Sequence, residues 1–224
     1  RDFCLSRGLG DVYKRQACRG GARMSLPPAL AERLTVSRET MDRLAAYVAL
    51  VEKWQKRVNL VSGSTLPDIW MRHIWDSAQL VPLIPEDTGR ILDVGSGAGF
   101  PGLVLAAMCG AECHLAESDQ KKAVFLQTVI RETGIRATIH NSRIESLPSL
   151  DPDIITARAL APLDRLLELV AAQMRPGTRC LFLKGQSVHE ELTCLDDRPH
   201  ISWQLHPSLT NPHAFVLDLT VRTE

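Results

Sequence analysis

A glycine-rich stretch between residues 90 and 102 constrains the fold of this chain more than any other part of the sequence. It reads Arg-Ile-Leu-Asp-Val-Gly-Ser-Gly-Ala-Gly-Phe-Pro-Gly, and good helix formers follow at 103–108. The apolar residues before the glycines predict a strand, and Pro101 suits the first turn of a helix. Glycine tolerates positive φ and lets a ligand approach the backbone closely. The stretch therefore predicts strand, tight turn and helix, with free helix N–H groups facing the turn.

Two classes of nucleotide site use such a turn. A dinucleotide site has the spacing G-x-G-x-x-G, with an acidic residue about 20 positions later. Here the order is Asp93-x-Gly95-x-Gly97-x-Gly99, and Glu117 closes the next apolar segment. This order resembles motif I of class I S-adenosylmethionine-dependent methyltransferases, and Glu117 could accept hydrogen bonds from two ribose hydroxyls. The alternative, a glycine-rich turn that binds no ligand, is disfavoured because the acid is correctly spaced.

The rest of the chain alternates between strand and helix patterns. The predicted strands are 91–94, 112–116, 137–140, 153–157, 180–184, 201–206 and 214–221, and the predicted helices are 37–58, 67–80, 102–109, 120–132, 163–174 and 190–195. Such alternation with short turns predicts an α/β fold, a mostly parallel Rossmann-like sheet with helices on both faces. The first two helices would form an N-terminal extension, and the last two strands could pair as an antiparallel hairpin.

Three parts of the chain are expected to differ in role. Residues 1–23 carry scattered arginines and glycines without periodicity, and they resemble a translated adapter-like sequence. We expect a disordered, non-native leader there, with the natural start at Met24. We expect a helical extension over 24–88 and a cofactor-binding domain of the class I methyltransferase type over 89–224.

Composition limits the kinds of partner. The chain carries no net charge, and without the basic leader the remainder has 20 basic against 24 acidic residues. Any nucleic-acid contact must therefore rest on a local basic patch. The six cysteines form no C-x-x-C pair, which favours free thiols in a cytoplasmic protein over a zinc site. No apolar run approaches the roughly 18 residues of a spanning helix, so we expect a soluble protein without a membrane segment.

Further motifs carry a resemblance to one family. The chain is similar to the bacterial 16S ribosomal RNA guanine-N7 methyltransferases, also called the glucose-inhibited division protein B family, over about residues 44–221. The matching residues are Trp54, Asn59-Leu60, Arg72-His73, Asp76-Ser77, 92–102, Glu117-Ser118, Lys121-Lys122, Phe125-Leu126, 142–145, 157–159 and 183–185. The most specific of these are Phe100-Pro101-Gly102 and Ala157-Arg158-Ala159, because the glycines alone would admit many methyltransferases.

The resemblance implies S-adenosylmethionine as cofactor and a set of residues that bind it. Gly95 and Phe100 would contact the cofactor, Ile144 and Glu145 would hold its adenine end, and Arg158 would line the site near the methionine moiety or the incoming base. The remaining cofactor-binding candidates are Asp93, Gly97, Gly99 and Glu117. Ile144 offers an apolar surface for a purine, although residues 142–145 could instead be a surface turn.

Two cations are the candidates for catalysis. Arg158 follows a buried apolar strand, and Lys184 closes the next strand in the same way. A cation at the end of a buried strand is costly unless it is paired or binds a ligand. Together they favour an anionic substrate such as a phosphodiester backbone. The alternative for Arg158 is an ion pair with Asp93 or Glu117.

The candidate RNA-binding residues also follow from the resemblance. They are Arg72, His73, Lys121, Lys122 and Lys184. A lone histidine is more often structural, and the lysines could simply be a solvated face. The arginine that many relatives carry in the last hairpin is absent here, where the chain reads Pro212-His213-Ala214.

The resemblance therefore implies transfer of a methyl group from S-adenosylmethionine to N7 of a guanine in 16S ribosomal RNA. Guanine N7 loses no proton on methylation, so no general base is expected, and orientation and electrostatics would supply most of the catalysis. The expected partner is 16S ribosomal RNA or the small-subunit particle, bound by a monomer without a metal ion. The alternatives are a cofactor-binding RNA chaperone or regulator without transfer activity, or a nicotinamide-dependent oxidoreductase.

Overall fold

A seven-stranded sheet forms the centre of the computed structural model, which describes residues 25–222. Its strands are β1 (Arg90–Val94), β2 (Glu112–Ala116), β3 (Thr138–His140), β4 (Ile154–Arg158), β5 (Arg179–Lys184), β6 (Ile201–Pro207) and β7 (Phe215–Val221). The strand order is β3-β2-β1-β4-β5-β7-β6. Strands β1 to β5 pair in parallel, whereas β7 pairs antiparallel with both β5 and β6. This confirms the predicted parallel sheet with an antiparallel hairpin at its end.

Helices connect and cover these strands. The α-helices are α1 (Pro28–Ala31), α2 (Arg38–Gln55), α3 (Asp76–Ala78), α4 (Gly102–Met108), α5 (Gln120–Thr133), α6 (Leu163–Val170) and α7 (Val188–Glu191). Short 3-10 helices lie at Gly63–Asp68, Val81–Leu83, Ile144–Ser146, Ala171–Gln173 and Leu192–Leu195, and a π-helix lies at Trp70–Trp75. None of the described helices is both long enough and apolar enough to cross a membrane.

The two longest helices begin and end at residues that suit those positions. The Ser37 side chain accepts a hydrogen bond from the backbone N–H of Thr40 at the start of α2. Asp119 accepts two in the same way from the first turn of α5. Gly134 ends α5 in the left-handed region with a φ of 70°. Such caps satisfy backbone groups that the helix itself leaves unpaired.

The predicted helix over 67–80 is wrong in its form. The segment is instead a 3-10 turn, a π-helix and one short α-helical turn. Pro67 has no backbone N–H to contribute to an α-helical ladder, which accounts for the tight first turn. The predicted helix over 163–174 likewise changes to 3-10 geometry after Val170.

Alternate residues of each strand pack on opposite faces of the sheet. Ile91, Ile154 and Leu181 join one apolar cluster with residues of α2, α4 and α5. Leu92 and Phe182 join a second cluster with residues of α6 and α7. Helices therefore cover both faces, as predicted, and the N-terminal helices pack directly on the first face.

The predicted leader over 1–23 and the predicted start at Met24 lie outside the described residues. The boundary that we predicted between the helical extension and the cofactor-binding domain, at residue 88, lies just before β1. Because β1, β2, β4 and β5 are parallel neighbours, their carboxyl ends meet at one edge of the sheet.

Candidate active site

The glycine-rich turn leaves β1 and folds back against the end of β2. Gly95, Gly97 and Gly99 have φ values of 67°, 58° and 94°, a region that favours glycine. The backbone N–H groups of Gly95 and Ser96 both donate to the carbonyl oxygen of Ala116, over 2.9 and 3.1 Å. The predicted strand, turn and helix are therefore present, and the turn is fastened to the neighbouring strand.

The glycines of the turn face different surroundings. A methyl group at Gly95 would lie 2.6 Å from Leu160, and one at Gly99 would lie 2.6 Å from Leu103 and 2.7 Å from the Tyr47 hydroxyl. At Gly97 the nearest such atom is the carbonyl oxygen of Gly95, 3.8 Å away. A methyl group at Gly99 would therefore clash with buried side chains and one at Gly95 with the exposed Leu160 side chain, whereas Gly97 lies on an open side that a ligand could approach.

Asp93 lies beneath the turn and is almost completely buried. Its Oδ1 accepts a hydrogen bond of 2.9 Å from the Thr156 hydroxyl, and its Oδ2 accepts one of 3.2 Å from the Gly102 N–H. Burial raises the pKa of Asp93 to about 6, although these hydrogen bonds oppose that shift. The carboxylate therefore holds the start of α4 to the sheet, and a contact between Asp93 and the cofactor stays a prediction.

Glu117 lies at the end of β2, beside the turn, as its spacing predicted. Its Oε2 accepts a hydrogen bond of 2.7 Å from the Gly97 N–H, and its Oε1 accepts one of 2.7 Å from the Asp119 N–H. The Asn141 side chain donates to the Glu117 carbonyl over 2.9 Å. The carboxylate is thus fixed next to the open side of Gly97, and its predicted contact with a ribose is untested.

The residues predicted to hold an adenine follow β3. Ile144 is buried and packs in the second apolar cluster, while Glu145 is exposed with its Oε1 3.7 Å from Arg165. Nearby, the buried hydroxyl of Ser142 has no hydrogen-bond partner within the described residues. Ile144 is therefore used mainly in the core, the loop has one unpaired hydroxyl, and its contact with an adenine stays a prediction.

Arg158, at the end of β4, has partners from the N-terminal extension. Its Nη2 lies 2.6 Å from Nδ1 of His73, and its Nη1 lies 3.5 Å from Oδ2 of Asp76. The guanidinium carbon is 5.8 Å from the centre of the Phe100 ring. The alternative of an ion pair with Asp93 or Glu117 is therefore wrong, because the π-helix and α3 bring Asp76 over the end of β4.

His73 was predicted to contact RNA, but it lies inside the protein. It is 3 % exposed, and its Nε2 is 2.8 Å from the Thr65 hydroxyl oxygen. Burial lowers the pKa of His73 to about 3, and the cations Arg158 and Arg72 lower it further, so the ring is neutral. Arg72, in contrast, is exposed. No sequence pattern pointed to Thr65, and Asp76 was noted only as part of a motif.

Lys184 closes β5 with its ammonium group engaged inside the protein. Its Nζ donates to the carbonyl oxygen of Ala161 over 2.9 Å and to Oε2 of Glu191 over 2.8 Å. Glu191 also accepts from the Leu163 N–H and from the Ser187 hydroxyl. Lys184 therefore joins the segment after β4 to α7, and no sequence pattern pointed to Glu191 as its partner.

A cavity of about 490 Å³ opens at this edge of the sheet. The residues that line it are Arg72, Asp76, Ala157–Pro162, Leu166, Leu183–Gly185, Ser187, Glu191, Asn211, Ala214 and Phe215. It brings Arg72, Arg158 and Lys184 together, while Lys121 and Lys122 lie apart from it at the start of α5. Leu160 joins the cavity to the turn, because it also lies against Gly95.

Among residues 25–222, no group of three or more His, Cys, Asp or Glu side chains is placed to hold a metal ion.

Solved structures of low sequence identity share this fold. A SAM-dependent methyltransferase from Aquifex aeolicus matches with a TM-score of 0.57 at 17% identity, covering 69% of this chain and 94% of the other. A ribosomal protein L11 methylase from Lactobacillus delbrueckii subsp. bulgaricus matches with a TM-score of 0.58 at 11% identity, covering 68% and 79%. The fold is therefore that of the class I methyltransferases, as predicted.

Much closer similarity exists to curated proteins. A Ribosomal RNA small subunit methyltransferase G of Paramagnetospirillum magneticum is 49% identical over 86% of this chain and 94% of its own length. One from Rhodospirillum centenum is 51% identical over 83% and 86%. Residues 40–214 also match the family described as rRNA small subunit methyltransferase G. The chain therefore belongs to the rRNA small subunit methyltransferase G family.

Proposed function

We propose that this protein transfers a methyl group from S-adenosylmethionine to N7 of a guanine in 16S ribosomal RNA, acting in the cytoplasm as a monomer on the RNA or the small-subunit particle. The observation that carries the proposal is the position of Arg158. Its guanidinium lines the cavity, which meets the glycine-rich turn at Leu160. A methyl donor on the turn and an RNA base in the cavity would thus be neighbours.

The residues of the turn fit the proposed cofactor. Gly97 has an open side, Glu117 is fixed beside it, and the Ser142 hydroxyl is buried without a partner among the described residues. Gly95, Gly97, Phe100, Glu117, Ile144 and Glu145 would hold the cofactor, with Asp93 and Gly99 shaping the turn. Bound there, S-adenosylmethionine would supply a methyl group that is already activated by its positively charged sulfur.

Arg158 would orient the RNA base and its neighbouring phosphates. The side chain is 20 % exposed, while its buried Nη1 lies at ion-pair distance from Asp76. Guanine presents O6 as an acceptor beside N7, and an arginine that donates to O6 leaves the N7 lone pair free to attack the methyl group. Lys184 lines the same cavity, but Glu191, which pairs with its ammonium group, lines the cavity too, so this pair adds no net charge there. Arg72, Lys121 and Lys122 would contact the RNA backbone.

We further propose that the two parts of the chain divide this work. Residues 89–222 would bind the cofactor, and residues 25–88 would complete the substrate side, since the partners of Arg158 come from that segment. The support is the packing of α2 and the π-helix on the sheet.

Methyl transfer to defined RNA tests the proposal. The purified protein would be incubated with labelled S-adenosylmethionine and either 16S ribosomal RNA or small-subunit particles that lack N7-methylguanine. Mass mapping of the RNA is expected to show one N7-methylguanine. Calorimetry with S-adenosylmethionine and NAD side by side would show binding of the first alone. Binding without methylation of either RNA substrate would contradict the proposal and support the chaperone alternative.

Two arginine variants provide a matched pair for this assay. Arg158→Ala should keep the fold and lower methyl transfer by at least roughly 10- to 100-fold, because one charge-assisted contact is commonly worth about 1.5 to 3 kcal/mol. Arg136→Ala removes an exposed arginine just before β3, at the amino ends of the parallel strands and so away from the site at their carboxyl ends. It should leave activity unchanged. Equal activity in both variants would remove Arg158 from the site.

A further inference from the structure

The side chain of His73 meets Arg158 rather than solvent. We infer that His73 is a positioning residue, whose Nδ1 lone pair fixes the direction in which the Arg158 guanidinium presents its remaining N–H groups to the cavity. This inference rests on the proposed function, because it assigns to Arg158 a contact with the substrate. It gives His73 a different task from direct contact with RNA.

The hydrogen bonds around His73 determine which ring nitrogen carries the proton. The Thr65 hydroxyl donates its single hydrogen to the carbonyl oxygen of Ser62 over 2.8 Å. Toward His73 Nε2, 2.8 Å away, Thr65 can therefore act only as acceptor. A neutral imidazole has one donor and one acceptor nitrogen, so Nε2 carries the hydrogen and Nδ1 has the lone pair. That lone pair faces Nη2 of Arg158 at 2.6 Å.

The alternative states of the ring fit these neighbours poorly. An Nδ1–H tautomer would turn a donor toward the guanidinium, which has only donors. An imidazolium ion would place a second positive charge against Arg158, on a residue, His73, that is only 3 % exposed. Thr65 therefore selects the form of His73 that can accept from Arg158.

Aromatic packing fixes the remaining freedom of both groups. The His73 ring lies 4.9 Å from the Phe100 ring at an angle of 32°, and the Arg158 guanidinium lies over the same ring. Tyr47 stacks on Phe100, with centres 5.1 Å apart, and donates a hydrogen bond to the Ala98 carbonyl. Phe100 belongs to the glycine-rich turn, so the direction of Arg158 is coupled to the geometry of that turn. A small displacement of such a group is enough to lower the rate of reaction greatly.

Two amide variants separate the roles of the two ring nitrogens. In His73→Asn, the side-chain oxygen can take the place of Nδ1 and still accept from Arg158. In His73→Gln, the amide reaches the position of Nε2 and can still bond to Thr65, while the contact with Arg158 is lost. We expect His73→Gln to lower kcat by roughly 10- to 100-fold, the value of one hydrogen bond to a charged group, and His73→Asn to remain within about 5-fold of the wild type.

The other measurements distinguish positioning from RNA binding and from loss of structure. The two variants should have similar melting temperatures, and the KM for RNA should change less than kcat in both, since the Arg158 guanidinium stays in the cavity and only its direction changes. Thr65→Val should lower kcat, whereas Thr65→Ser keeps the hydroxyl and should behave as the wild type. Equal loss of kcat in the Asn and Gln variants, or a rise confined to the KM for RNA, would overturn the inference.

A measurement on the free protein tests the inference without any activity. Nitrogen-15 NMR of the histidine rings at pH 7 should show His73 as the neutral Nε2–H tautomer. An Nδ1–H tautomer or an imidazolium ion would overturn the inference. If the wild-type protein transferred no methyl group, the proposed function would fail, while the tautomer measurement would still decide whether His73 can accept from Arg158.

Discussion

Oε2 of Glu117 accepts a hydrogen bond of 2.7 Å from the backbone N–H of Gly97. The contact joins the end of β2 to the one glycine of the turn that has an open side. The other oxygen of Glu117 accepts from the Asp119 N–H at the start of α5. One carboxylate thus sets the distance between two loops at the carboxyl edge of the sheet, which is where ligands bind in folds of this type.

Replacing Glu117 should therefore weaken cofactor binding. Glu117→Ala leaves the backbone N–H groups of Gly97 and Asp119 without their acceptor and removes the proposed partner of the ribose. We expect the Kd for S-adenosylmethionine, measured by calorimetry, to rise roughly 10- to 100-fold. Glu112→Ala is the control, since Glu112 is an exposed acid at the other end of the same strand. A similar Kd for both variants would separate the Glu117 carboxylate from the cofactor.

The features that could be predicted from the sequence are those that depend on residues close together in the chain. Gly95, Gly97 and Gly99 all have positive φ, and Glu117 lies where its spacing placed it. A parallel sheet follows directly from alternating strands and helices, so neighbouring strand ends must meet. These parts of the site therefore follow from local pattern and from one topological rule.

The partners of Arg158 could not be predicted in this way. His73 precedes Arg158 by 85 residues and lies in a π-helix, which has no simple apolar period. The position of Asp76 depends on how the N-terminal segment packs across the sheet. Glu191 was missed for a different reason: it follows Lys184 by only seven residues, but the pair forms only because the short helix after β5 folds back over the strand end. Contacts between distant segments depend on packing rather than on local pattern.

The close approach of Gly102 to Asp93 leads to a prediction about stability. A methyl group at Gly102 would lie 2.6 to 2.9 Å from the Asp93 side chain, which Thr156 holds in place. Gly102→Ala should therefore lower the free energy of unfolding by about 1 to 3 kcal/mol in urea denaturation. In Gly110→Ala, by contrast, the new methyl group meets no atom within 4 Å. The free energy of unfolding of this control should differ from that of the wild type by less than about 0.5 kcal/mol. If both variants lost the same free energy of unfolding, the crowding at Asp93 would be relieved without cost.

Burial of Asp93 predicts a particular dependence of stability on pH. The pKa is raised from 3.8 to about 6, so between these values the folded protein binds a proton that the unfolded chain does not. The contribution of Asp93 to the free energy of unfolding therefore falls as pH rises from about 4 to 6. The total change is on the order of 3 kcal/mol, since one pKa unit corresponds to about 1.4 kcal/mol.

Asp93→Asn should remove this dependence while keeping the contacts of the carboxylate. The amide oxygen can accept from the Gly102 N–H, and the amide nitrogen can donate to the Thr156 hydroxyl, which is free to rotate. Urea denaturation of both proteins at pH 4, 5, 6 and 7 gives the difference between them, in which the titration of all unchanged groups largely cancels. That difference should favour the wild type most at pH 4 and decline toward pH 7. A constant difference across this range would show that the Asp93 carboxyl is no harder to ionise in the folded protein than in the unfolded chain, and that its burial beneath the turn carries no electrostatic cost.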